Sequence, residues 1–382
     1  MKKVNTIVAA MVIILMFAHC KQVYDPQIAA ANTRLLVVEG FINSGAGSTT
    51  IRLSRTGDFK DTAIRPELGS QVNIEGGDGS KFALAGNANG EYSISQLTLI
   101  NSVKYRLHIR TTNGKEYISA YTPVRYTPPI DSISWQREND GVQIYVNTHD
   151  DQNSTKYYLW TYTETWEFHS PYLSYLDWQR DPVTHDVTDL MGRMNTDSIY
   201  KCWKTQNSTN LLLGSSEKLG IDKIFLPIRY IEPMSEELSV RYYIELRQYA
   251  LSHEAFLFYQ KLKKNTEELG SLFDPQPSEL QGNIRCATDP NESVIGYVEV
   301  SKEEKANIFI ANSEVAPWVP SPNCPKKIIY NDPDSMRSYV SDYIPLQGVT
   351  YRGLAIVTFS AAPSLCVDCT SRGTNVKPSF WP

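Results

Sequence analysis

Apolar and polar residues alternate with a period of two along most of this chain, the spacing that places successive side chains on opposite faces of a strand. LLVVEGFI from Leu35 and TTIRLSR from Thr49 are the first such runs, separated by Gly45-Ala46-Gly47-Ser48. That glycine-rich text lacks a following helix and a Gly-Lys-Ser/Thr ending, so it reads as a turn and not as a phosphate loop. QVNIE and KFALAG flank GGDGS, EYSISQL follows NANG, and VKYRLHIR and KEYISAYT flank Thr112-Asn113-Gly114. Asn-Gly between apolar runs predicts a type I′ hairpin, whose two central residues need positive φ. Seven or so short strands at this spacing predict an immunoglobulin-like β-sandwich over residues 35–126.

The proline-rich text TPVRYTPPI at 122–130 marks a boundary. A larger β-rich domain is expected over 127–382, with strands DSISWQ, VQIYVNTHD, KIFLPIRYI, ELSVRYYIELRQYAL, SVIGYVEVS and KANIFIA. YRGLAIVTF reads as the best buried strand near the C-terminus, and the closing Phe380-Trp381 as an apolar end tucked on the body. In KYYLWTYTETWEF (156–168), Tyr158, Trp160, Tyr162, Glu164, Trp166 and Phe168 share one face. Such a face is expected in the core more often than on a ligand platform.

One stretch breaks the pattern. From about 252 to 269 the apolar period becomes helical, with Ala255, Phe256, Tyr259, Leu262 and Leu269 on one stripe and Lys261, Lys263 and Lys264 on the solvated side. Ser252 is placed to cap the N-terminus and Glu254 to favour the positive end of the helix dipole. Gly270 stands where a C-cap glycine belongs, and Asp274-Pro275-Gln276-Pro277 prevents continuation. The profile is that of a packing element between sheets. The expected fold is mainly β: an N-terminal immunoglobulin-like sandwich, then a larger β-rich domain carrying one main helix.

The first residues change the picture of where the protein works. Lys2 and Lys3 precede an apolar run from Ile7 to Ala18, which ends at Cys20. That run is too short to span a bilayer and has the layout of an export signal. A cysteine directly after it predicts lipidation at Cys20, with residues 1–19 removed and 20–34 serving as a tether to the membrane. Net charge is −5 without any Lys/Arg-rich run, which argues against a nucleic-acid partner.

Export places the other five cysteines where disulfides persist. An odd number leaves one thiol over. The expected pairs are Cys366–Cys369 and Cys286–Cys324, in preference to a redox-active C-x-x-C or half of a zinc site. Tyr172, Tyr175 and Trp178 lie in less regular sequence and are the candidate ligand-facing aromatics. His149-Asp150-Asp151 is read as a solvated turn in preference to a metal site. No catalytic motif of the G-x-S-x-G or H-E-x-x-H type is present, no cofactor is implied, and no carboxylate pair is singled out.

The layout resembles a family of Bacteroidota lipoproteins named only as domain of unknown function 4249. The matching text is the signal with Cys20, LLVVEGFI, YYLWTYTE, Cys202-Trp203, LSHEAFLFYQKLKKN, GSLFDPQPSELQGNIRC, GYVEVS, CVDCTSRG and the closing KPSFW. The resemblance implies a lipid-anchored, outer-membrane-associated protein with an immunoglobulin-like N-terminal part. It further implies a binding or accessory partnership with a TonB-dependent outer-membrane transporter, on an open choice of membrane face and with an unknown ligand. It implies no activity. A structural or adhesive surface protein and an unrecognised hydrolase are the alternative readings.

Overall fold

The computed structural model describes residues 34–57, 64–267 and 280–382. The leader, Cys20, the tether up to residue 33, and the helix-end residues Leu269, Gly270 and Asp274 to Pro277 lie outside them. The described chain is mainly β, as the period-two pattern predicts, with one long helix, His253–Glu267.

The N-terminal body is the expected sandwich, but its strand ladder closes on itself. Lys104–Arg110 pairs with Gln71–Gly76, which continues through Lys81–Gly86, Glu91–Ile94, Thr49–Arg55 and Leu36–Asn43. From there the ladder passes to Val300–Ser301, then to Thr122–Arg125, and back to Lys104–Arg110. Closure removes the exposed edges that make open sheets prone to mispairing. Leu36, Val38, Ile51, Leu53, Val72, Ile74, Leu107 and Ile109 point inward at alternate positions and form its core.

Three of its strands come from beyond the helix: Ile284–Cys286 on Glu116–Ser119, Val294–Gly296 on Leu36–Asn43, and Val300–Ser301. The first sheet is therefore not built from residues 35–126 alone. SVIGYVEVS, expected as one strand, is two short parallel pieces. Gly296 separates them with φ +148°, and a Cβ there would lie 2.3 Å from the Val38 carbonyl oxygen. The hairpin at Thr112-Asn113-Gly114 forms, but Gly114 has positive φ (83°) and Asn113 does not. Arg110 stands opposite Glu116, and Thr111 N–H donates to Lys115 O, leaving a three-residue loop with a left-handed glycine in place of the expected type I′ turn.

The second body is another sandwich. Ile130–Glu138, Gly141–His149 and Lys223–Ile231 form one sheet. The facing central sheet runs Lys201–Asn207, Tyr157–His169, Arg241–Ala250, Glu304–Ala311, with Leu212–Ser215 also on Tyr157–His169. The even-numbered aromatic face of Tyr157–His169 lies inside, against Val142, Ile144, Val146, Ile224 and Ile228. Polar atoms that enter this core are matched: Trp160 Nε1–H donates to Gln248 Oε1 at 2.7 Å, and Gln248 Nε2–H to Pro128 O at 2.8 Å.

The long helix lies on the other, outer face of the central sheet. Ser252 Oγ accepts from Ala255 N–H at 3.0 Å, the expected N-cap. Ala255, Phe256, Phe258 and Tyr259 are buried against Tyr157, Leu159, Phe41 and Tyr297, so the helix joins the central sheet to the first body.

A small C-terminal sheet, Lys327–Tyr330, Ala355–Pro363 and Tyr343–Arg352, packs on the hairpin Leu176–Arg180 and Val187–Gly192. Here the expectation of one buried strand over YRGLAIVTF is corrected. Gly353 (φ 63°) turns the chain, and Tyr351 and Leu354 at the hairpin tip are 58% and 101% exposed. An apolar run alone does not separate a buried strand from a hairpin.

The disulfides also differ from expectation: Cys202 pairs with Cys369 and Cys324 with Cys366, while Cys286 is free and buried. Cys366 and Cys369 sit in successive 3-10 turns and face different cores, one with Cys324 and the other with Cys202. Cys286 lies in the first body opposite Tyr117, in another core from Cys324. Loops of 42 and 167 residues are closed; in the chain-entropy account each such closure stabilises by about 4 to 5 kcal/mol. The tail then runs back over the outer face of the central sheet. Trp381 is buried with Trp203, Tyr243 and Phe309, and its Nε1–H donates to Glu167 Oε2 at 3.0 Å.

Non-reducing peptide mapping is expected to recover the Cys202–Cys369 and Cys324–Cys366 pairs, with Cys286 alkylated only after unfolding. Trp381→Ala should lower stability by about 3 kcal/mol in denaturant titration. Burial pushes the Glu75 carboxyl up, but hydrogen bonds from His108 and Arg106 outweigh it and hold the group at about 2, below its ordinary 4.5. A depressed carboxyl contributes stability above about pH 4.5 that is lost as pH falls towards 2. Glu75→Gln should therefore cost on the order of 1 kcal/mol at neutral pH, and that difference should shrink to nothing across the same acid window.

Candidate groove on the outer face of the central sheet

The outer face of the central sheet is built from the odd-numbered residues of Tyr157–His169 and their neighbours. Strand register sets these side chains in rows. Leu159 stands opposite Tyr249; Thr161 opposite Arg247, and Arg247 opposite Lys305; Thr163 opposite Glu245, and Glu245 opposite Asn307; Thr165 opposite Tyr243, and Tyr243 opposite Phe309. Two polar rows thus lie between two rows that carry aromatics. The helix and Phe41 cover the first row, and Phe380 and Trp381 cover the last, with ring centroids 4.6 Å from Tyr243 and 5.3 Å from Phe309. The polar middle is left open.

At the helix end this band deepens into a groove of about 620 Å³. Its floor is Leu159, Thr161, Arg247 and Tyr249; its walls include Phe41, Tyr259, Leu262 and Tyr297, with Glu303 and Lys305 at the side. Phe41, from the first body, stacks on Tyr249 at 4.3 Å and 11°. Junctions between bodies are where ligand clefts most often form, because curved surfaces meet there without filling the space.

Three of the four charged residues lining the groove are matched, and Glu39 is exposed. Arg247 donates to Glu245 at 2.6 Å and to Thr163 Oγ1 at 3.0 Å, and Lys305 pairs with Glu303 at 2.8 Å. The Tyr249 hydroxyl donates to Glu303. Burial first, and then the Glu303 charge, push the Tyr249 phenol well above its ordinary value; burial and Glu299 do the same for Tyr259. Both hydroxyls therefore stay protonated and act as donors. The arrangement offers rings, hydroxyls and paired charges for binding.

A second cleft of about 660 Å³ lies beside the cystine Cys324–Cys366, lined by His169, Glu236, Ser239, Arg372 and the Pro320–Asn323 segment. Arg372 is paired with Glu236 and lies over the Phe168 ring at 4.8 Å. Ser239 Oγ and Arg372 Nε have no partner, but both atoms are sealed from solvent and out of reach of a ligand in the cleft.

The aromatics singled out in the sequence do not converge on either cleft floor. The Tyr172 hydroxyl donates to Cys324 O at 2.6 Å, and Trp178 Nε1–H to Tyr343 O at 3.2 Å, with the Trp178 ring edge-on to Phe359. Both are built into the small C-terminal module. Tyr175 is 54% exposed beside them.

His149 pairs with Asp131 at 2.7 Å, and this bond raises the imidazole above its ordinary value. Asp150 caps the turn. Burial pushes its carboxyl up, but bonds from Thr155 N–H (2.7 Å) and the Ser154 hydroxyl (2.7 Å) hold it at about 2. The triplet is used internally, and among the described residues no group of three His, Cys, Asp or Glu side chains is placed to hold a metal.

The sequence does not single out Phe41, Arg247, Tyr249 or Lys305, and it marks Tyr259 only as part of the helix's packing stripe. A partial signal was available: Thr161, Thr163 and Thr165 alternate with mostly aromatic neighbours, and Glu245 and Arg247 alternate with Ile244 and Leu246 on the neighbouring strand. That marks a face turned away from the core.

No curated protein matches the chain. Solved structures with local likeness include a Salmonella alpha-2-macroglobulin variant at 8% identity, a putative carbohydrate binding protein from Bacteroides uniformis at 9%, and the chicken CNTN1 FN1–FN3 domains at 12%. Each has a TM-score of 0.18, too slight to bear on function. The matches cover 78%, 72% and 56% of this chain, and 15%, 98% and 62% of the other chains, so this chain spans only a small part of the macroglobulin. The family model described as Domain of unknown function (DUF4249) matches residues 21–307, a stretch that contains every residue lining the groove, from Val37 to Lys305. With more than half of its length matched, the chain belongs to the DUF4249 family.

Proposed function

We propose that this protein is a lipid-anchored binding protein of the outer membrane that serves as an accessory to a TonB-dependent transporter, with a role in binding and not in catalysis. The observation that carries the reading is the groove. It is open, sits where the helix joins the two bodies, and its bases Arg247 and Lys305 are each already held by a carboxylate, which suits a recognition surface. The signal ending at Cys20 and the two cystines fit a protein exported to an oxidising envelope compartment. A partner-facing surface is also at hand. Ile328, Tyr330, Tyr351 and Leu354 are exposed on the C-terminal sheet and its hairpin tip, and exposed apolar clusters of this kind mark interaction sites.

Affinity purification of the full chain from detergent-solubilised outer membranes is expected to bring down a β-barrel transporter. Recovery of the chain alone would overturn the partnership. In the same cells Cys20→Ser should move the chain out of the membrane fraction; retention of the variant there would overturn the lipid anchor.

A further inference from the structure

We propose that the groove and the polar band that continues it bind an uncharged, polyhydroxylated chain: a neutral oligosaccharide. The inference rests on the reading of the groove as a ligand seat and names the class of ligand.

Charge comes first. The groove is lined by two acids, Glu39 and Glu303, and two bases, Arg247 and Lys305. Arg247 is held by Glu245, and Lys305 by Glu303. An anionic ligand would have to draw Arg247 or Lys305 away from its carboxylate, and a cationic ligand would have to draw Glu303 away from Lys305; Glu39 is exposed and in no ion pair among the described residues, so the pairing weighs most heavily against an anion. Either leaves a half-buried charge without its partner. A neutral ligand breaks neither pair.

Hydrogen-bonding capacity comes second. A guanidinium has five donors and a carboxylate about four acceptor sites. One contact to Glu245 and one to Thr163 leave Arg247 with donors to spare. The Thr161 hydroxyl can both donate and accept, whereas the Thr163 hydroxyl already donates to Asn207 Oδ1 at 2.9 Å and keeps only acceptor capacity. A surface that presents spare donors beside spare acceptors suits a ligand whose every polar group does both, which is the character of a sugar hydroxyl. An apolar ligand would cover the same groups unpaired, at a cost of about 1 to 3 kcal/mol each.

The rings add the complementary half. Phe41, Tyr249, Tyr259 and Tyr297 line the apolar end. Tyr249 and Tyr259 are buried and stacked on Phe41, so the half-buried Phe41 and Tyr297 are the ring surface left for the C–H face of a pyranose, whose hydroxyls then project to the polar rows.

Length and access then favour a chain over a single sugar and over a peptide. Rows on one face of a strand are about 7 Å apart, so the stretch from the Leu159–Tyr249 row to the Thr163–Glu245 row, beyond which Phe380 and Trp381 cover the sheet, is about 14 Å. The band lies on the face of the sheet, where each strand is already paired with its neighbours. An extended peptide binding by strand addition would pair in plane with the edge strand Glu304–Ala311, which has Arg241–Ala250 on one side only, and would not lie on this face.

The test is calorimetric titration of the mature full chain with maltoheptaose, cellohexaose, mannohexaose and xylohexaose, alongside an oligogalacturonate and a chitosan oligomer. At least one neutral oligosaccharide is expected to saturate, with an affinity little changed between about 50 and about 500 mM salt. Arg247→Ala and the groove-filling Thr161→Trp should each weaken it roughly tenfold or more, with the denaturation midpoint of Thr161→Trp unchanged. Tighter, salt-sensitive binding of a charged oligomer that Thr161→Trp abolishes would overturn the neutral class while leaving the groove as the seat. No binding by any member, or binding that Thr161→Trp leaves intact, would overturn the site itself. Recovery of the transporter with Thr161→Trp reads the partnership separately, because the exposed C-terminal hairpin is untouched by that change.

Discussion

Glu299 holds the junction on which the rest of the molecule depends. It is almost fully buried, yet its carboxylate accepts from Ser252 N–H at 3.2 Å, from the Ser252 hydroxyl, and from Arg125 Nε at 3.3 Å. Its own carbonyl accepts from Ile42 N–H at 2.9 Å. One residue therefore touches the helix N-terminus, the last strand of the first body, and the strand that opens it. A carboxylate buried in this way is tolerated only when its lone pairs are filled, so these contacts are obligatory and not decorative. Beside it Thr127 Oγ1 joins Ser301 Oγ at 2.9 Å and accepts from Ala250 N–H at 3.1 Å, which fixes the start of the second body to the same knot. The first ladder cannot close without Val300–Ser301, and that strand arrives only after the chain has built the central sheet and the helix. Closure of one body thus sets the position of the other.

The groove follows from that constraint. The central sheet has one face filled with aromatics and one face that is polar in the middle. Docking the helix and Phe41 at one end of the outer face buries Tyr157, Leu159 and Tyr249, and the tail buries Tyr243 and Phe309 at the other. What remains uncovered is the pair of rows that gains nothing from burial: threonines, a matched arginine and glutamate, an asparagine and a lysine. The opening is where it is because packing stops at polar side chains whose desolvation it would not offset.

Much of the architecture was legible because its signals are local. TTIRLSR is the strand Thr49–Arg55, KIFLPIRYI is Lys223–Ile231, and Ser252 caps the helix as its side-chain oxygen and position require. The alternation in Tyr157–His169 correctly put the aromatics inside. What escaped was non-local. Strands of two or three residues such as Val300–Ser301 have no period to read, and their pairing partners lie more than a hundred residues away. The hairpin at Gly353 is hidden because Tyr351 and Leu354 look like core residues until the turn exposes them. Cys366 and Cys369 are neighbours in sequence, but two tight turns point them to opposite cores, and spacing carries no information about that. For the groove, the polar face could be read from alternation; the arrival of Phe41 and the helix above it could not.

The two clefts differ in what they are made of, and this bears on which one to regard as the working surface. The groove is built wholly from residues within the stretch matched by the family model, which stops at residue 307. The cleft beside Cys324–Cys366 takes Pro320, Asn323, Cys324, Cys366 and Arg372 from beyond it. Its charged pair, Arg372 with Glu236, is closed on itself at the cleft wall, its buried unpaired donors are sealed from solvent, and its walls are the segments that the cystines staple together. Those features describe a seam between modules. The groove has the Thr161 hydroxyl, an Arg247–Glu245 pair with hydrogen-bonding capacity left over, and ring walls held in place by the Glu299 knot, so the same junction that makes the fold also holds the proposed binding surface.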